Sequence, residues 1–339
     1  MSEAPLLHFG GPDRPPRFLR DLLQARVEAV PPGGRISWAT YYLRDRRLAE
    51  ALIAASDRGV AVRLAVEGAP RNRAVNASVL ETLSAHGLNG GLHVHLGKKP
   101  PVGKKAYLHS KIYAFSHPVP SVLIGSFNPS GDDPEDAEIL ADIGDQDRGH
   151  NLLVEFRDPK LVRGLDRRVR AIGRPLARFW PSQNLALSSG ATRMWCYPRL
   201  HNVRLERELD LLARGDRLLG AISHLKPDRL SQRIAAAARR GAEVRLVVHD
   251  TERRVPQESV EAIEEAGGRV TRYEHPEGLP LHSKFLLVDR GGSGCAAWFG
   301  SFNFNKRSRL YNHELLVRST HPDIANGLAE RFEQIMAEL

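Results

Sequence analysis

The sequence predicts an α/β fold of two similar repeats, each with a mostly parallel sheet, packed about a pseudo-two-fold axis. The first observation is an internal repeat: residues 59–66 read GVAVRLAV and residues 241–248 read GAEVRLVV, identical at five of eight positions. The same offset of 182 positions pairs Arg35 with Arg217. The second observation is that apolar runs of strand length alternate with amphipathic segments in both halves, which is typical of layered α/β proteins.

Each half begins with the same order of elements. A short apolar strand is followed by a helix with apolar residues three or four apart, which Gly59 and Gly241 end as cap residues. A buried strand, a second helix and a further strand follow. The expected ranges are 36–42, 48–55, 62–66, 75–85 and 92–96, and then 218–223, 230–237, 244–248, 258–266 and 269–273.

We place the domains at 1–180 and 181–339. The stretch 175–198 contains prolines and lacks clear periodicity, which predicts a linker.

The composition is that of a globular protein with basic character. The chain has 339 residues, of which 42% are hydrophobic and 26% charged, enough for a sizeable core. Its net charge of +9 favours anionic partners: nucleic acid, an anionic lipid surface or a phosphate-bearing substrate. A solvated Arg-rich surface without a specific partner is the alternative.

Several classes of protein are disfavoured. Cys196 and Cys295 stand at unrelated positions, so neither a disulfide framework nor a cysteine metal site is expected. The first residues lack the basic and apolar pattern of a secretory signal, and no run of about 18 apolar residues predicts a membrane span. We expect a cytoplasmic protein, soluble or peripheral at the membrane.

Each half carries the same two polar motifs, LHSK at 108–111 and 281–284, then GSFN at 125–128 and 300–303. Residues i and i+2 of a strand face the same way, so His109 and Lys111 share one face, as do His282 and Lys284. A single histidine on a strand is usually a core or surface residue. Core packing gives no reason for a lysine beside each of two histidines, so the doubled pattern indicates a functional site.

These motifs resemble the signature of the phospholipase D superfamily, HxKxxxxD followed by GSxN. His282, Lys284 and Asp289 match it in the second half, and Asn303 and Glu314 follow. The first half matches through His109, Lys111 and Asn128. The resemblance extends over nearly the whole chain and implies two phospholipase D-like repeats around one active site, complete in a monomer.

The first copy departs from the pattern at two positions. Ser116 stands where the Asp is expected, and Asn151 aligns with Glu314. The two-copy tyrosyl-DNA phosphodiesterases, which the chain resembles in this respect, also lack the Asp and carry an amide first and a Glu second. A degenerate, non-catalytic first half is the alternative.

The residue types suit phosphodiester chemistry. A neutral imidazole attacks phosphorus to form a phosphohistidine, and a second, protonated imidazole serves the leaving oxygen. Lysines and asparagines hold the phosphate oxygens, so neither a metal nor a cofactor is expected. The resemblance implies catalytic roles for His109, Lys111, Asn128, His282, Lys284, Asn303 and Glu314. It implies supporting roles for Ser126, Asn151, Asp289 and Ser301.

In two-copy relatives the acidic residue of one half usually orients the histidine of the other half. The resemblance therefore implies that Glu314 bonds His109 and that Asn151 serves His282. A carboxylate makes its imidazole the better nucleophile, so we expect His109 to attack and His282 to act as the general acid. The reverse assignment follows if Glu314 pairs with His282.

Other polar features are weaker. His93 and His95 share a strand face, but two histidines without a third ligand are usually surface residues. Residues 131–148 form an acidic insertion, interpreted either as a lid or as a mobile solvated loop. Two basic clusters are expected near the mouth of the site or on a solvated face: Lys98, Lys99, Lys104 and Lys105, and Lys306, Arg307 and Arg309.

The sequence predicts the reaction better than the substrate. A phospholipid is favoured, because two motif copies in one chain resemble lipid-head-group-exchanging members and the acidic insertion would repel a long polyanion. A nuclease or DNA-repair phosphodiesterase is the alternative, supported by the high pI of about 9.8. A non-catalytic phosphate-binding module is a third interpretation.

Overall fold

The computed structural model describes residues 4–97, 105–129, 137–172, 185–200 and 203–339. The strands of the first repeat are β1 (Leu6–Gly10), β2 (Arg35–Thr40), β3 (Ala61–Glu67), β4 (Leu92–His95), β5 (Ile112–Phe115), β6 (Ser121–Gly125) and β7 (Asn151–Phe156). Its helices are α1 (Phe18–Glu28), α2 (Arg46–Asp57), α3 (Ala74–His86), α4 (Ala137–Ile143) and α5 (Pro159–Ala171).

The second repeat is built in the same order. Its strands are β8 (Ala186–Ser189), β9 (Thr192–Cys196), β10 (Arg217–Ile222), β11 (Glu243–His249), β12 (Arg269–Tyr273), β13 (Lys284–Asp289), β14 (Cys295–Gly300) and β15 (Leu315–Ser319). Its helices are α6 (Val203–Asp210), α7 (Arg229–Arg239), α8 (Gln257–Glu264), α9 (Lys306–Leu310) and α10 (Pro322–Ala337). The predicted α/β fold of two repeats is confirmed.

Both sheets are mixed, so the expectation of mostly parallel sheets is wrong in this detail. Within the described residues, the strand orders are β1-β7-β6-β5-β2-β3-β4 and β12-β11-β10-β13-β14-β15-β9-β8. Only β2-β3-β4 and β10-β11-β12 run parallel to one another. The connections after β5 and β13 are too short for a crossover helix, and a short connection joins antiparallel neighbours.

Helices α2 and α7, which follow β2 and β10, show why the repeat folds as it does. The Asp45 carboxylate accepts a hydrogen bond from the backbone N–H of Leu48, and the Asp228 carboxylate does the same for Leu230. These bonds satisfy donors that a helix start leaves unpaired. The apolar faces of α2 and α7 then pack on their sheets, as the spacing predicts.

The predicted linker is partly structured. Strands β8 and β9 lie within it and extend the second sheet, with β9 antiparallel to β15. The residues of β8 and β9 that reach the shared core stand at alternate positions: Leu187, Met194 and Cys196. This alternation is too short to be recognised in a sequence stretch that contains prolines. Residues 173–184, with the expected domain boundary, lie outside the described residues.

The described residues form four hydrophobic clusters, of which three are large. Helices α1, α2 and α3 cover the outer face of the first sheet, and α6, α7 and α8 cover that of the second. The inner faces share one cluster with α5 and α10, in which the Phe156 and Phe299 rings stack with centroids 6.5 Å apart. Within the described ranges, no helix is both long and apolar enough to cross a bilayer.

Candidate active site

Two short backbone bridges join the repeats at the predicted motifs. Leu108 pairs with His313, and His150 pairs with Leu281, in both cases in parallel. The backbone N–H of His109 donates to the His313 carbonyl at 2.9 Å, and that of His282 donates to the His150 carbonyl at 2.9 Å. His109 is therefore held beside Glu314, which precedes β15, and His282 is held beside Asn151, which begins β7. In both pairs the two residues belong to different repeats.

His109 bonds a carboxylate from the second repeat. Its Nδ1 donates to Oε2 of Glu314 at 2.9 Å, as expected from the resemblance. Glu314 is fully buried and also accepts hydrogen bonds from Ser301 at 2.6 Å, Ser308 at 2.7 Å and Asn312 at 3.2 Å. This network fixes the position of the carboxylate. Because Nδ1 of His109 carries the proton that it donates to Glu314, Nε2 of the neutral ring is unprotonated.

His282 bonds an amide from the first repeat. Its Nδ1 donates to Oδ1 of Asn151 at 2.9 Å. Asn151 is buried, and its own amide donates to the Gln146 carbonyl at 2.8 Å, which orients the side chain. The expected pairing across the repeats is present on both sides, with a carboxylate at one histidine and an amide at the other.

The glycines and serines of the two GSFN motifs help to position Asn151 and Glu314, the residues that bond the histidines. A Cβ at Gly125 would lie 1.9 Å from the Leu152 carbonyl oxygen, so only glycine allows β6 to approach β7 this closely. The next residue, Ser126, donates to Oδ1 of Asn151 at 3.0 Å, as Ser301 does to Glu314. These serines thus orient the groups that orient the histidines.

The motif lysines are buried beside the histidines. Nζ of Lys111 donates to the His109 carbonyl at 2.8 Å, and Nζ of Lys284 donates to the His282 carbonyl at 2.8 Å and to Nε2 of His282 at 3.0 Å. Burial lowers the pKa of Lys111 to about 7, although Glu314 opposes this shift. Burial also lowers the pKa of Lys284 well below its ordinary value, and the Lys111 charge adds to this.

Both histidines are neutral in this environment. Burial lowers the pKa of His109 to about 4 against the opposing effect of the Glu314 carboxylate. The pKa of His282 lies well below its ordinary value because of burial and then the charges of Lys284 and Lys111. A phosphodiester anion between them would raise both pKa values, since negative charge favours the protonated imidazole.

One cavity of about 510 Å³ lies between the two motifs. Both histidines line it, together with Asn128 and Asn303. Oδ1 of Asn303 is buried without a hydrogen-bond partner among the described residues, so it has capacity for a ligand. Tyr41, whose ring centroid lies 4.9 Å from that of His109, belongs to an aromatic wall. Other lining groups, which the sequence did not single out, are Tyr42, Tyr107, Arg71, His224, Arg253 and Arg254.

Two buried arginines anchor the orienting segments, and the sequence analysis missed them. Arg168 on α5 donates to Nδ1 of His313 at 2.8 Å, and Arg331 on α10 donates to Nδ1 of His150 at 2.9 Å. Each arginine reaches into the repeat to which it does not belong. The shared spacing is the available signal, because Arg168 to Arg331 equals His150 to His313 along the sequence.

Asp289 lies apart from the site. It ends β13, pairs with Arg217 at 2.8 Å, and does not line the cavity. In the first repeat, Ser116 at the corresponding position accepts a hydrogen bond from the Arg35 backbone N–H at 2.7 Å. The position of the missing Asp in the first motif therefore lies away from the paired histidines.

The basic clusters have different placements. Lys306 and Arg307 line the cavity, whereas Arg309 contacts the Leu200 carbonyl outside it. Lys105 lies 3.5 Å from Glu67, and its ammonium is 5.3 Å from the Tyr107 ring centroid. Lys98, Lys99 and Lys104 lie outside the described residues.

The acidic insertion is partly helical. Residues 130–136 lie outside the described residues, but α4 packs Ile139 and Ile143 against Tyr41 and Tyr42. Gln146 and Ile143 line the cavity. From residue 137 onward, the interpretation as a mobile loop is therefore wrong, because apolar residues anchor the segment.

His93 and His95 lie with ring centroids 6.2 Å apart on β4. Within the described ranges, no group of three or more His, Cys, Asp or Glu side chains is arranged to hold a metal ion.

Comparisons with known proteins place the chain among related folds. The family model described as cardiolipin synthase, PLD-like domain matches residues 32–156 and 210–336. Phosphatidylserine synthase from Haemophilus influenzae Rd KW20 has a TM-score of 0.68 and 14% identity, covering 98% of this chain and 85% of that chain. No curated protein sequence is significantly similar to this one.

Polyphosphate kinase from Porphyromonas gingivalis is also similar in structure. Its TM-score is 0.64 at 14% identity, covering 98% of this chain and 50% of that chain. The chain thus spans half the length of that kinase. At these identities the two structures show a common fold.

Proposed function

Because the chain belongs to the family of cardiolipin synthase PLD-like domains, we propose that it cleaves or exchanges phosphodiesters through a phosphohistidine, with a phospholipid as substrate. The observation that carries this is the pair of histidines in one cavity, each bonded through Nδ1 to a residue of the other repeat. One partner is a carboxylate and the other an amide, which gives the two imidazoles different roles.

In the proposed first step, Nε2 of His109 attacks phosphorus. The P–N bond forms as the P–O bond to the leaving alcohol breaks, and His282 gives its Nε2 proton to that oxygen. The Glu314 carboxylate stabilises the positive charge that develops on His109. We propose that Asn128 and Asn303, which line the cavity, hold the phosphate oxygens together with Lys111 and Lys284, which lie beside the histidines.

In the second step, His282 takes a proton from water or an acceptor alcohol as its oxygen attacks phosphorus. The P–N bond breaks and His109 returns to its neutral form. His282 must be protonated before the first step, although burial keeps it neutral without substrate. Binding of the anionic phosphodiester supplies the charge that raises its pKa, so we propose that proton uptake accompanies substrate binding.

The proposed substrate is a phospholipid for two reasons. Two motif copies in one chain resemble head-group-exchanging enzymes, and Asp142 of the acidic insertion bonds Arg71 of the cavity wall, which leaves less positive charge there for a long polyanion. The exposed Arg253, with Lys306 and Arg307 on the cavity wall, favours nucleic acid as the second candidate. We propose a monomer in the cytoplasm, peripheral at the membrane when it meets lipid.

The test uses the purified chain with labelled phospholipid vesicles, with and without an acceptor alcohol, and with single- and double-stranded DNA. His109→Ala and His282→Ala proteins serve as controls for each substrate. We expect lipid turnover that both substitutions reduce. Turnover of DNA alone would establish the second candidate, and phosphodiester binding without turnover would support a non-catalytic module.

A chelator arm tests the proposed chemistry. The residues above supply a nucleophile, an acid and oxyanion donors, so we expect turnover to persist in excess EDTA. Loss of turnover in EDTA that a divalent ion restores would contradict the metal-independent mechanism.

A further inference from the structure

Arg254 is a buried cation whose hydrogen-bonding capacity is largely unused. It follows β11, lines the catalytic cavity and is 6% exposed. Its Nη2 donates to the Ile143 carbonyl at 3.2 Å, whereas Nε and Nη1 are buried without a partner among the described residues. Buried guanidinium donors are normally satisfied, because an unmet donor costs free energy. The cavity is the place from which an acceptor can reach them.

The surroundings of Arg254 favour an anion. Within the described residues, no carboxylate forms an ion pair with Arg254. Arg253 is its neighbour in sequence, and Lys226 lines the same part of the cavity and donates to the Arg253 carbonyl. Burial and then the Arg253 charge lower the pKa of Arg254 to about 10, so the guanidinium is charged at neutral pH. A concave, cationic and desolvated wall of this kind is suited to a phosphate.

This wall lies on the His282 side of the cavity. The backbone N–H of Leu225 donates to the Arg254 carbonyl at 3.3 Å, and that of Ser223 donates to the carbonyl of Ser283, the neighbour of His282, at 3.0 Å.

On the His109 side the Tyr41 ring lies 4.9 Å from the imidazole and 5.5 Å from Nζ of Lys111, and the Arg307 guanidinium lies 4.4 Å from the Tyr107 ring centroid. Arg307 thus lies against an aromatic ring, whereas Arg254 presents two buried donor atoms without a partner among the described residues.

We propose that Arg254, supported by Arg253, forms a second anion subsite beside His282, which binds a phosphate carried by the leaving group of the substrate. This rests on the proposed function, because His282 as general acid defines the leaving-group side. The ligand chemistry is a phosphate separated by a short linker from the scissile phosphodiester. A phospholipid with a phosphorylated head group supplies it, and so does the adjoining phosphate of a nucleic acid strand.

The kinetic test compares matched substrates. They are dihexanoyl phosphatidylglycerol and its head-group-phosphorylated form, and a thymidine dinucleotide and its terminally phosphorylated forms. We expect Arg254→Met to lower kcat/KM roughly 10- to 100-fold on the lipid with the second phosphate, as for a lost hydrogen bond to a charged group. The loss on the plain lipid should be smaller, so the ratio of the two kcat/KM values measures the subsite, because any effect of the lost charge on His282 is common to both lipids. Selectivity confined to the dinucleotides would assign the subsite to nucleic acid.

Two further variants separate binding from structure. Arg254→Lys keeps the charge and should recover part of the preference, and Arg245→Met removes an arginine from β11 outside the cavity and should preserve it. An equal loss on both lipids in Arg254→Met would show that the arginine only holds α4 through Ile143. That result would overturn the proposal.

A binding measurement stands apart from turnover. Calorimetry with glycerol 3-phosphate and glycerol 1,3-bisphosphate should show a preference of roughly tenfold or more for the bisphosphate, which Arg254→Met abolishes. Absence of that preference in the wild type would refute the subsite. Preference without turnover of any substrate would instead refute the proposed enzymatic function.

Discussion

The two histidines occupy similar backbone positions but different chemical surroundings. His109 bonds a buried carboxylate that three further side chains hold, whereas His282 bonds an amide and accepts from Lys284. The carboxylate stabilises a positive imidazole, and the amide only fixes the tautomer. The two repeats thus give their histidines unequal chemical surroundings, and Glu314 against Asn151 is the difference in the residue that each Nδ1 bonds.

The largest expected effect separates the histidines themselves. His109→Ala should lower kcat by roughly 10⁴-fold or more on every substrate, because the attacking nitrogen is lost. His282→Ala should retain much of its first-step rate on a p-nitrophenyl phosphodiester, whose leaving group needs no proton. Rapid-quench measurement of p-nitrophenol release distinguishes the two variants.

Trapping gives the corresponding covalent readout. Quenching a reaction with a labelled phosphodiester should leave the label on His109, and His282→Ala should accumulate it because the second step lacks its base. Peptide mapping locates the label. Label on His282 in the wild-type protein would reverse the assigned roles.

The orienting residues allow a matched exchange. Glu314→Gln places an amide at both histidines and should lower kcat by roughly 10²- to 10⁴-fold, because the imidazolium loses its counter-charge. Asn151→Asp places a carboxylate at both and should cost less than about tenfold, since it makes His282 a weaker acid that is more readily protonated. Steady-state kinetics on one substrate compares them.

Thermal stability is the control for this exchange. In Glu314→Gln the amide N–H groups of the new glutamine would face Ser308 or Asn312, which donate hydrogen bonds to the Glu314 carboxylate. Melting temperatures of both variants separate loss of fold from loss of rate. A larger rate loss in Asn151→Asp than in equally folded Glu314→Gln would contradict the proposed asymmetry.

The pH dependence sharpens the comparison further. With His109 at a pKa of about 4, kcat/KM of the free enzyme should fall below that value. It should also decline toward high pH, because His282 must take up a proton and Lys111, with a pKa of about 7, loses one. The Glu314 charge favours the protonated form of His109 and Lys111, so removing it lowers both pKa values. In Glu314→Gln both limbs should move to lower pH. Profiles from roughly pH 3 to pH 9 test this, and an upward shift of either limb would contradict it.

The smallest expected effect concerns the motif Asp that only the second repeat has. Asp289→Ser copies Ser116 and removes an ion pair whose Arg217 side chain is 55% exposed. It should lower the free energy of unfolding by roughly 0.2–1 kcal/mol, as for an exposed pair, and leave kcat/KM unchanged. Urea unfolding and steady-state kinetics measure the two effects. A clear fall in kcat/KM would show that Asp289 supports the site from a distance.

The repeat and the motifs allowed much of the fold and the site to be predicted. Alternating apolar patterns are local, so the strands and helices common to both halves were correctly anticipated. The pairing of Glu314 with His109 came from the family resemblance, because a contact between residues 205 positions apart leaves no local pattern. Strand direction after β5 and β13 was wrong, since it depends on connection length and the pattern of apolar residues is the same either way.

The cavity wall could not be predicted for a different reason. Tyr41, His224 and Arg254 lie in loops that follow strand ends, where apolar periodicity stops and side-chain direction depends on the packed repeats. One signal was available, because Arg71 and Arg253 stand at the repeat offset of 182 and both line the cavity. The segment between β6 and β7 that contains α4 is longer than the segment between β14 and β15 that contains α9, so the internal comparison gave little information about it.

The exchanged anchors affect how the two halves can diverge. Arg168 bonds His313 and Arg331 bonds His150. A substitution of either arginine therefore disturbs a histidine in the other repeat. Compensating changes should therefore arise between halves, and positions 168 with 313 and 331 with 150 should covary across descendants of this gene. Neither repeat contains the residue that orients its own motif histidine. We therefore expect the two repeats to be retained together.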